Sequence, residues 1–352
     1  MKTRLILSIV TSLLFSLVIA PVIGMAVELN PLPVAGVIFG LSFIPLPSGI
    51  MGMAIQKEIW QTWIAENLLA KNDFLNNLTN EDQYVLAGKV VHIPQAGASP
   101  GVERNRTVVP AQVIQRTDVD ITYALDEFTS DPVYIPNADT VELSYDKMAS
   151  ILADIMGTLR DNVAKWLLYH FGPATNILRT TGGAVAAHLD GATGNRKLLL
   201  PNDLKRVQLA MNKQNVPFEN RFALVSSDML NQLTDSLTAT TYRDFSAAYD
   251  MAKGVVGQLY GFNIMERSSV LVYDNTPVKK AVGAAGAATD NDCALFWQQQ
   301  ALARSMGDIV MYEKIGDPTF YGDIYSALLR MGGRIRRSDE KGVYALVQDA
   351  AT

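Results

Sequence analysis

Acid–base, nucleophilic or metal chemistry would rest on few residues in this chain. Its 352 residues include three histidines (His92, His170 and His188) and one cysteine, Cys293. A lone cysteine excludes an internal disulfide framework and a multi-cysteine zinc site. Gly97-Ala98-Ser99-Pro100-Gly101 matches the nucleophile-elbow pattern of hydrolases, which requires a strand entering and a helix leaving. Val102 to Thr107 carries no helical stripe and Pro100 sits awkwardly in such a turn, so loop composition explains the match. Asp118, Asp120, Asp126, Glu127 and Asp131 could offer oxygens to Ca²⁺, but their spacing is not that of an EF-hand, and an exposed strand face accounts for them. His92 lies in an apolar run and His170 on a helical stripe, where both read as packed side chains. Gly283 to Ala288 is a small-residue loop without the acidic partner of a dinucleotide site, and no Walker A pattern occurs. Arg330, Arg334, Arg336 and Arg337 form a basic cluster, read as salt bridging with Asp339 and Glu340 in preference to contact with DNA or another subunit. The residues assign no catalytic, cofactor or metal site.

The elements that would position any such group are clearer. From Ser144 to Gly172, Met148, Ile151, Leu152, Ile155, Leu159, Val163, Trp166, Leu167 and His170 recur at three- and four-residue steps, the stripe of one α-helix about 40 Å long. Ser144 can cap its start. Gly172-Pro173 ends it, with a left-handed glycine expected there. Asp146, Lys147, Asp154, Arg160, Asp161 and Lys165 form its polar face. Before it, Gly88 to Pro94 reads as a strand, Gly97 to Arg106 as a polar loop, and Val113 as the start of a returning strand. Asp118 to Asp126 alternates strictly, with Val119, Ile121, Tyr123 and Leu125 on one face. A hairpin of about 40 residues, whose arms could reach roughly 60 Å, exceeds the radius of a compact domain. It needs a neighbour to cover it.

The first 53 residues differ in character. They hold three charges (Lys2, Arg4 and Glu28), and Leu5 to Ile23 is uncharged. This reads as a signal or anchor, as a cleaved or unused segment ending near Met53-Ala54, or as a retained arm. Prolines at 31, 33, 45 and 47 disfavour a second spanning helix. The net charge of −5 gives no sign of a nucleic-acid binder.

Taken in order, the strand Gly88-Lys89-Val90-Val91-His92-Ile93-Pro94, the protruding hairpin, the acidic Leu125-Asp126-Glu127-Phe128 return and the helix opening Ser144-Tyr145-Asp146-Lys147 resemble tailed-phage major capsid proteins of the Hong Kong 97 fold. The resemblance continues through the helix from Pro201 to Asn215, the Pro217 to Arg221 turn, the Phe222 to Val225 strand and a helix capped by Asp228. It includes Gly257 to Ile264 with Ser268-Ser269. It ends in a strand, Gly316-Asp317-Pro318, a helix, Arg334 to Arg337 and the Val343 to Val347 run. The resemblance implies an α+β fold with a spine helix at 144–171, an extended β-hairpin loop at 89–135, and peripheral (136–200) and axial (201–306) domains. An N-terminal arm (54–88) precedes these, and 307–352 returns to them; residues 1–53 are the departure from the pattern.

The implied function is a non-enzymatic shell subunit that self-assembles, without cofactors, into pentamers and hexamers around double-stranded DNA. The DNA contact would be weak and non-specific, and portal and scaffold would be further partners. The implied place is a virion head assembled in host cytoplasm. Arg104, Arg106, Asp118 and Asp120 become expected inter-subunit contacts, and Met53 and Ala54 the expected processing or start site. The alternative is a secreted or membrane-anchored surface protein using the leader.

Overall fold

The computed structural model describes residues 72–86, 90–95, 101–102, 104–107, 109–110, 113, 115, 119–136, 147–250 and 253–351. The leader with Met53 and Ala54, Ser99, Asp118 and Ser144 lie outside the described residues, as does the burial of the His92 and Asp120 side chains.

One helical turn, α1 (Asp73–Asn76), leads to the short strands β1 (Thr79–Asn80) and β2 (Val85–Leu86). β3 (Val90–Gln95) and β4 (Val119–Ala124) are the outgoing and returning arms of the extended loop, antiparallel from Val90↔Ala124 to Gln95↔Val119. β5 (Asp126–Thr129) and β6 (Val133–Pro136) follow, and then the long helix α2 (Lys147–Phe171). Val113, expected to start the returning strand, is exposed and outside any strand.

In α2 the buried positions among the described side chains are Ile155, Met156, Leu159, Val163, Ala164, Leu167, Leu168 and Phe171; the side chains of Met148, Ile151 and Leu152 lie outside them. Trp166 is 41% exposed and the His170 side chain 43%, so the expectation that His170 is packed is corrected. At about 100° per residue the apolar stripe drifts, and these two fall on its shoulder. The helix stops where expected, but Gly172 is not among the left-handed glycines. A Cβ there would stand 2.8 Å from Lys279 Cδ and 2.9 Å from Leu271 Cδ1. Close approach, not backbone sign, requires glycine.

After α2 come β7 (Ile177–Arg179), β8 (Ala184–Ala186), β9 (Asn195–Lys197) and α3 (Pro201–Lys213). Proline at its first turn and Asp203, which accepts from the Leu200 N–H at 3.2 Å, start α3. β10 (Arg221–Ser226) is buried at all six positions, the mark of a strand covered on both faces. It runs into α4 (Ser227–Asp235) and α5 (Ala239–Ser246). Ser226, not the expected Asp228, caps α4, because only its hydroxyl precedes the first turn and accepts from Met229 N. The strands β11 (Val255–Leu259), β12 (Phe262–Arg267), β13 (Leu271–Tyr273) and β14 (Asn291–Gln298) complete most of a seven-stranded sheet.

The chain then makes a long antiparallel hairpin, β15 (Leu302–Asp317) and β16 (Gly322–Ile335), and closes with β17 (Val343–Val347) and β18 (Ala350–Ala351). A helix was expected after Pro318; the structure has β16 instead. Its Tyr325, Ala327, Leu329 and Met331 are buried at alternate positions, and both its edges are paired: with β15 on one side, with β5 and β6 on the other. Two ladders outweigh the helix propensity of Ala, Leu and Met.

The seven-stranded sheet runs β11-β12-β10-β14-β17-β7, with β13 also on β14. Its register separates two cores. Phe222 lies opposite Trp297, which lies opposite Val343; Ala223 lies opposite Phe296, which lies opposite Tyr344. The first row faces a core shared with α2 and the β15–β16 hairpin. The second faces a core shared with α3 and α4. Period-two alternation across three strands thus gives each side its own apolar layer.

Candidate assembly surfaces

The expected contact residues fall on the extended loop. Arg104 and Arg106 are exposed near its tip, on either side of Asn105 (φ 53°). Val102 and Val109, 99% and 81% exposed, lie beside them. Asp120 is in β4 opposite Pro94, and Asp118 lies outside the described residues. The structure therefore gathers Arg104 and Arg106 at one tip and puts Asp120 on the arm.

A second projection was missed in the sequence. The turn of the β15–β16 hairpin exposes Tyr312 (53%), Ile315 (50%), Phe320 (54%) and Tyr321 (77%). Asp317 builds the turn, its carbonyl accepting from Tyr321 N at 2.7 Å and its carboxylate from Thr319 N at 2.8 Å. The Phe320 ring sits 6.2 Å from that of Tyr134 on β6. Exposed Asp308 and Glu313 make this projection acidic, while Lys314 is paired with Asp317 at 2.8 Å. The alternation Tyr325-Ala327-Leu329-Met331 was the signal that could have revealed it.

The root of the extended loop is a polar cluster. Glu81, 1% exposed, accepts from Tyr123 Oη on β4 at 3.2 Å. Its other carboxylate oxygen lies 2.9 Å from Arg336 Nε, an ion pair without an aligned hydrogen bond. The Arg334 guanidinium lies over the Tyr123 ring, 5.6 Å from its centre. Burial pushes the Glu81 carboxyl up, against the opposing pull of Arg336 and Arg334.

The four C-terminal arginines thus form no single patch. Arg330 pairs with Glu127 at 2.9 Å, Arg336 with Glu81, and Arg337 with Asp339 at 2.7 Å. The salt bridging expected with Asp339 holds for Arg337 only. Glu340 instead accepts from the backbone N–H groups of Ala174 and Thr175, both at 2.8 Å, closing the chain after α2.

Beside α2 lies a cleft of about 190 Å³ lined by Lys165, Tyr169, Lys280, Asp228 and Asp292 among others. Asp292 is buried and accepts from Ser226 Oγ, while His188 Nε2 stands 2.9 Å from it. These are the residue types of a hydrolytic triad, but the serine hydroxyl donates its hydrogen bond to the carboxylate and the imidazole faces the carboxylate too. No imidazole addresses the serine, as a triad requires, and the set is a structural lock. Burial also raises the Cys293 thiol well above its ordinary value, leaving it unreactive. Among the described residues no group of three His, Cys, Asp or Glu converges on a metal position, and no helix is long and apolar enough to cross a membrane.

No family model and no curated protein matches the chain. Solved structures do. The capsid of Ralstonia phage GP4 aligns with a TM-score of 0.59 at 13% identity, covering 78% of this chain and 88% of that one. The capsid of cyanophage P-SCSP1u aligns with a TM-score of 0.55 at 18% identity, covering 78% and 87%. A virus-like particle from Pyrococcus furiosus gives 0.50 at 10% identity, covering 83% and 99%. At such identities side chains are largely replaced and what persists is the path of the backbone: this chain is an α+β protein of the Hong Kong 97-type capsid fold.

Proposed function

We propose that this protein is a shell subunit that self-assembles into a closed icosahedral particle, with no catalytic role. The observation that carries the reading is the pair of projections that leave the two cores and expose apolar side chains at their tips: Val102 and Val109 on the loop, and Ile315, Phe320 and Tyr321 on the hairpin. Large apolar side chains exposed on projections of this kind mark an interaction site. The charges are of opposite sign, since the loop carries Arg104 and Arg106 near its tip and the hairpin carries exposed Glu313 on its outer half and exposed Asp308 nearer its base. In the assembled state the loop of one copy lies over a neighbour, with Arg104, Arg106, Asp118 and Asp120 as contacts. Each weak contact is then multiplied around closed rings. The core under α2 would belong to a peripheral domain and the α3–α4 core to an axial one. The shell would enclose double-stranded DNA inside a virion head, and cleavage or a start at Met53-Ala54 would remove the leader.

Electron microscopy and sedimentation of the expressed chain test the reading. Closed shells are expected, with intact mass beginning at or near Ala54. A chain that stays monomeric under every assembly condition would overturn it, and one found exported to the cell surface would favour the secreted alternative.

A further inference from the structure

Resting on the shell reading, the extended loop is useful only if it leaves the body at an angle that reaches a neighbour. Its arms, β3 and β4, belong to a small three-stranded sheet with β2, separate from the sheet of β15 and β16. The returning arm passes through Leu125 into β5 on β16, so the backbone joins the two sheets at that point and leaves the angle between them to side-chain contacts.

Glu81 stands at that junction. Its backbone N–H donates to Arg304 O on β15 at 2.9 Å, and the next residue's carboxylate, Asp82 Oδ1, accepts from Met306 N at 2.6 Å. The main chain at Glu81 is therefore part of the body. Its buried carboxylate is divided: one oxygen takes the Tyr123 hydroxyl from the loop at 3.2 Å, and the other faces Arg336, just beyond β16, at 2.9 Å. Tyr123 can come this close because Gly332 beneath it has no side chain. A Cβ at Gly332 would stand 2.8 Å from Leu125 Cδ2 and 3.3 Å from Tyr123 Cε2. Arg334 closes the seat from above the ring.

We propose that Glu81 is the positioning residue of the extended loop: its carboxylate ties Tyr123 of the returning arm to the β15–β16 body and sets the angle at which the loop departs. A buried carboxylate is strongly disfavoured when it loses a partner. Swinging the loop away removes the tyrosine donor and leaves that oxygen without its hydrogen bond, with only the neighbouring Arg336 and Arg334 charges to offset the loss. The seated geometry is therefore favoured, by about the worth of one charge-assisted hydrogen bond.

The test uses the full-length free subunit. Because Cys293 is buried, cysteines introduced as Asn105→Cys and Lys205→Cys, both at exposed positions, take spin labels selectively. Double electron–electron resonance between them should give one narrow distance. Tyr123→Phe removes only the hydroxyl; it should melt like its parent yet raise the displaced population roughly tenfold, the scale of one charge-assisted hydrogen bond. Glu81→Ala should do the same or more. If Glu81→Ala fails to fold, Tyr123→Phe decides alone. An unchanged narrow distribution in Tyr123→Phe, or a broad one in the parent, overturns the proposal. Absence of particles from the parent counts against the shell reading alone, because the distance is read without assembly.

Discussion

His188 and Asp292 form a lock that joins the loop after β8 to the start of β14 and the cap of α4. The bond to Asp292 raises the His188 pKa above its ordinary 6.5, helped by Asp228 at 4.0 Å and opposed by burial and Arg196. A raised folded pKa means that the native state binds this proton more tightly than the unfolded chain does. The stabilisation is complete below about 6.5 and is lost as pH climbs through the higher folded value. Thermal melts from mildly acid to mildly alkaline pH should therefore show a loss in the parent that His188→Gln lacks, with a ceiling of about 1.5–3 kcal/mol for a charged hydrogen bond. Parallel pH profiles would refute the assignment. Nothing in the sequence announced this pair: 104 positions separate the two residues, and proximity across that distance is a product of the fold. His170 shows the converse, a residue on the expected stripe that folding leaves exposed beside Asp126.

Among the elements, α2 makes the sharpest claim. Ile155 and Leu159 are 8% and 5% exposed in the core shared with β16, and either changed to Ala should cost about 2–5 kcal/mol. Asp154 is exposed, and Asp154→Ala should stay within about ±0.5 kcal/mol. Circular dichroism melts of the three variants check both numbers. Removing residues 97–106 should leave the melting temperature of the subunit near the parent's, because the described residues there are exposed; a fall as large as that of Leu159→Ala would show that the loop is part of a core. The legible elements were those with one dominant local signal: α2, α3, β3 and β10. β16 was misread because Ser326, Leu328 and Arg330, on its other face, are half-buried and blur the alternation. The hairpin projection went unseen for that reason, while the loop with Arg104 and Arg106 was visible as a polar, glycine-rich interruption between strands.

For the whole molecule, both cores are built within one chain, and the root of the β15–β16 hairpin belongs to the first of them, but the exposed tips of the two projections add little to either. That separation predicts two classes of variant. Tyr321, at the hairpin tip, is 77% exposed with φ at 55°. Tyr321→Asn removes the apolar surface and keeps a residue that accepts a left-handed backbone, so the subunit should fold with stability within about ±0.5 kcal/mol of the parent. In a shell the same change recurs at every copy. A loss of even about 1 kcal/mol per contact is then multiplied around each ring, and assembly should fail while folding does not. Leu159→Ala should fail at folding. Sedimentation velocity beside melting curves on both variants separates the classes. If Tyr321→Asn assembles as the parent does, the hairpin tip is not part of the interface, and the loop must find its partner surface elsewhere on the neighbouring copy.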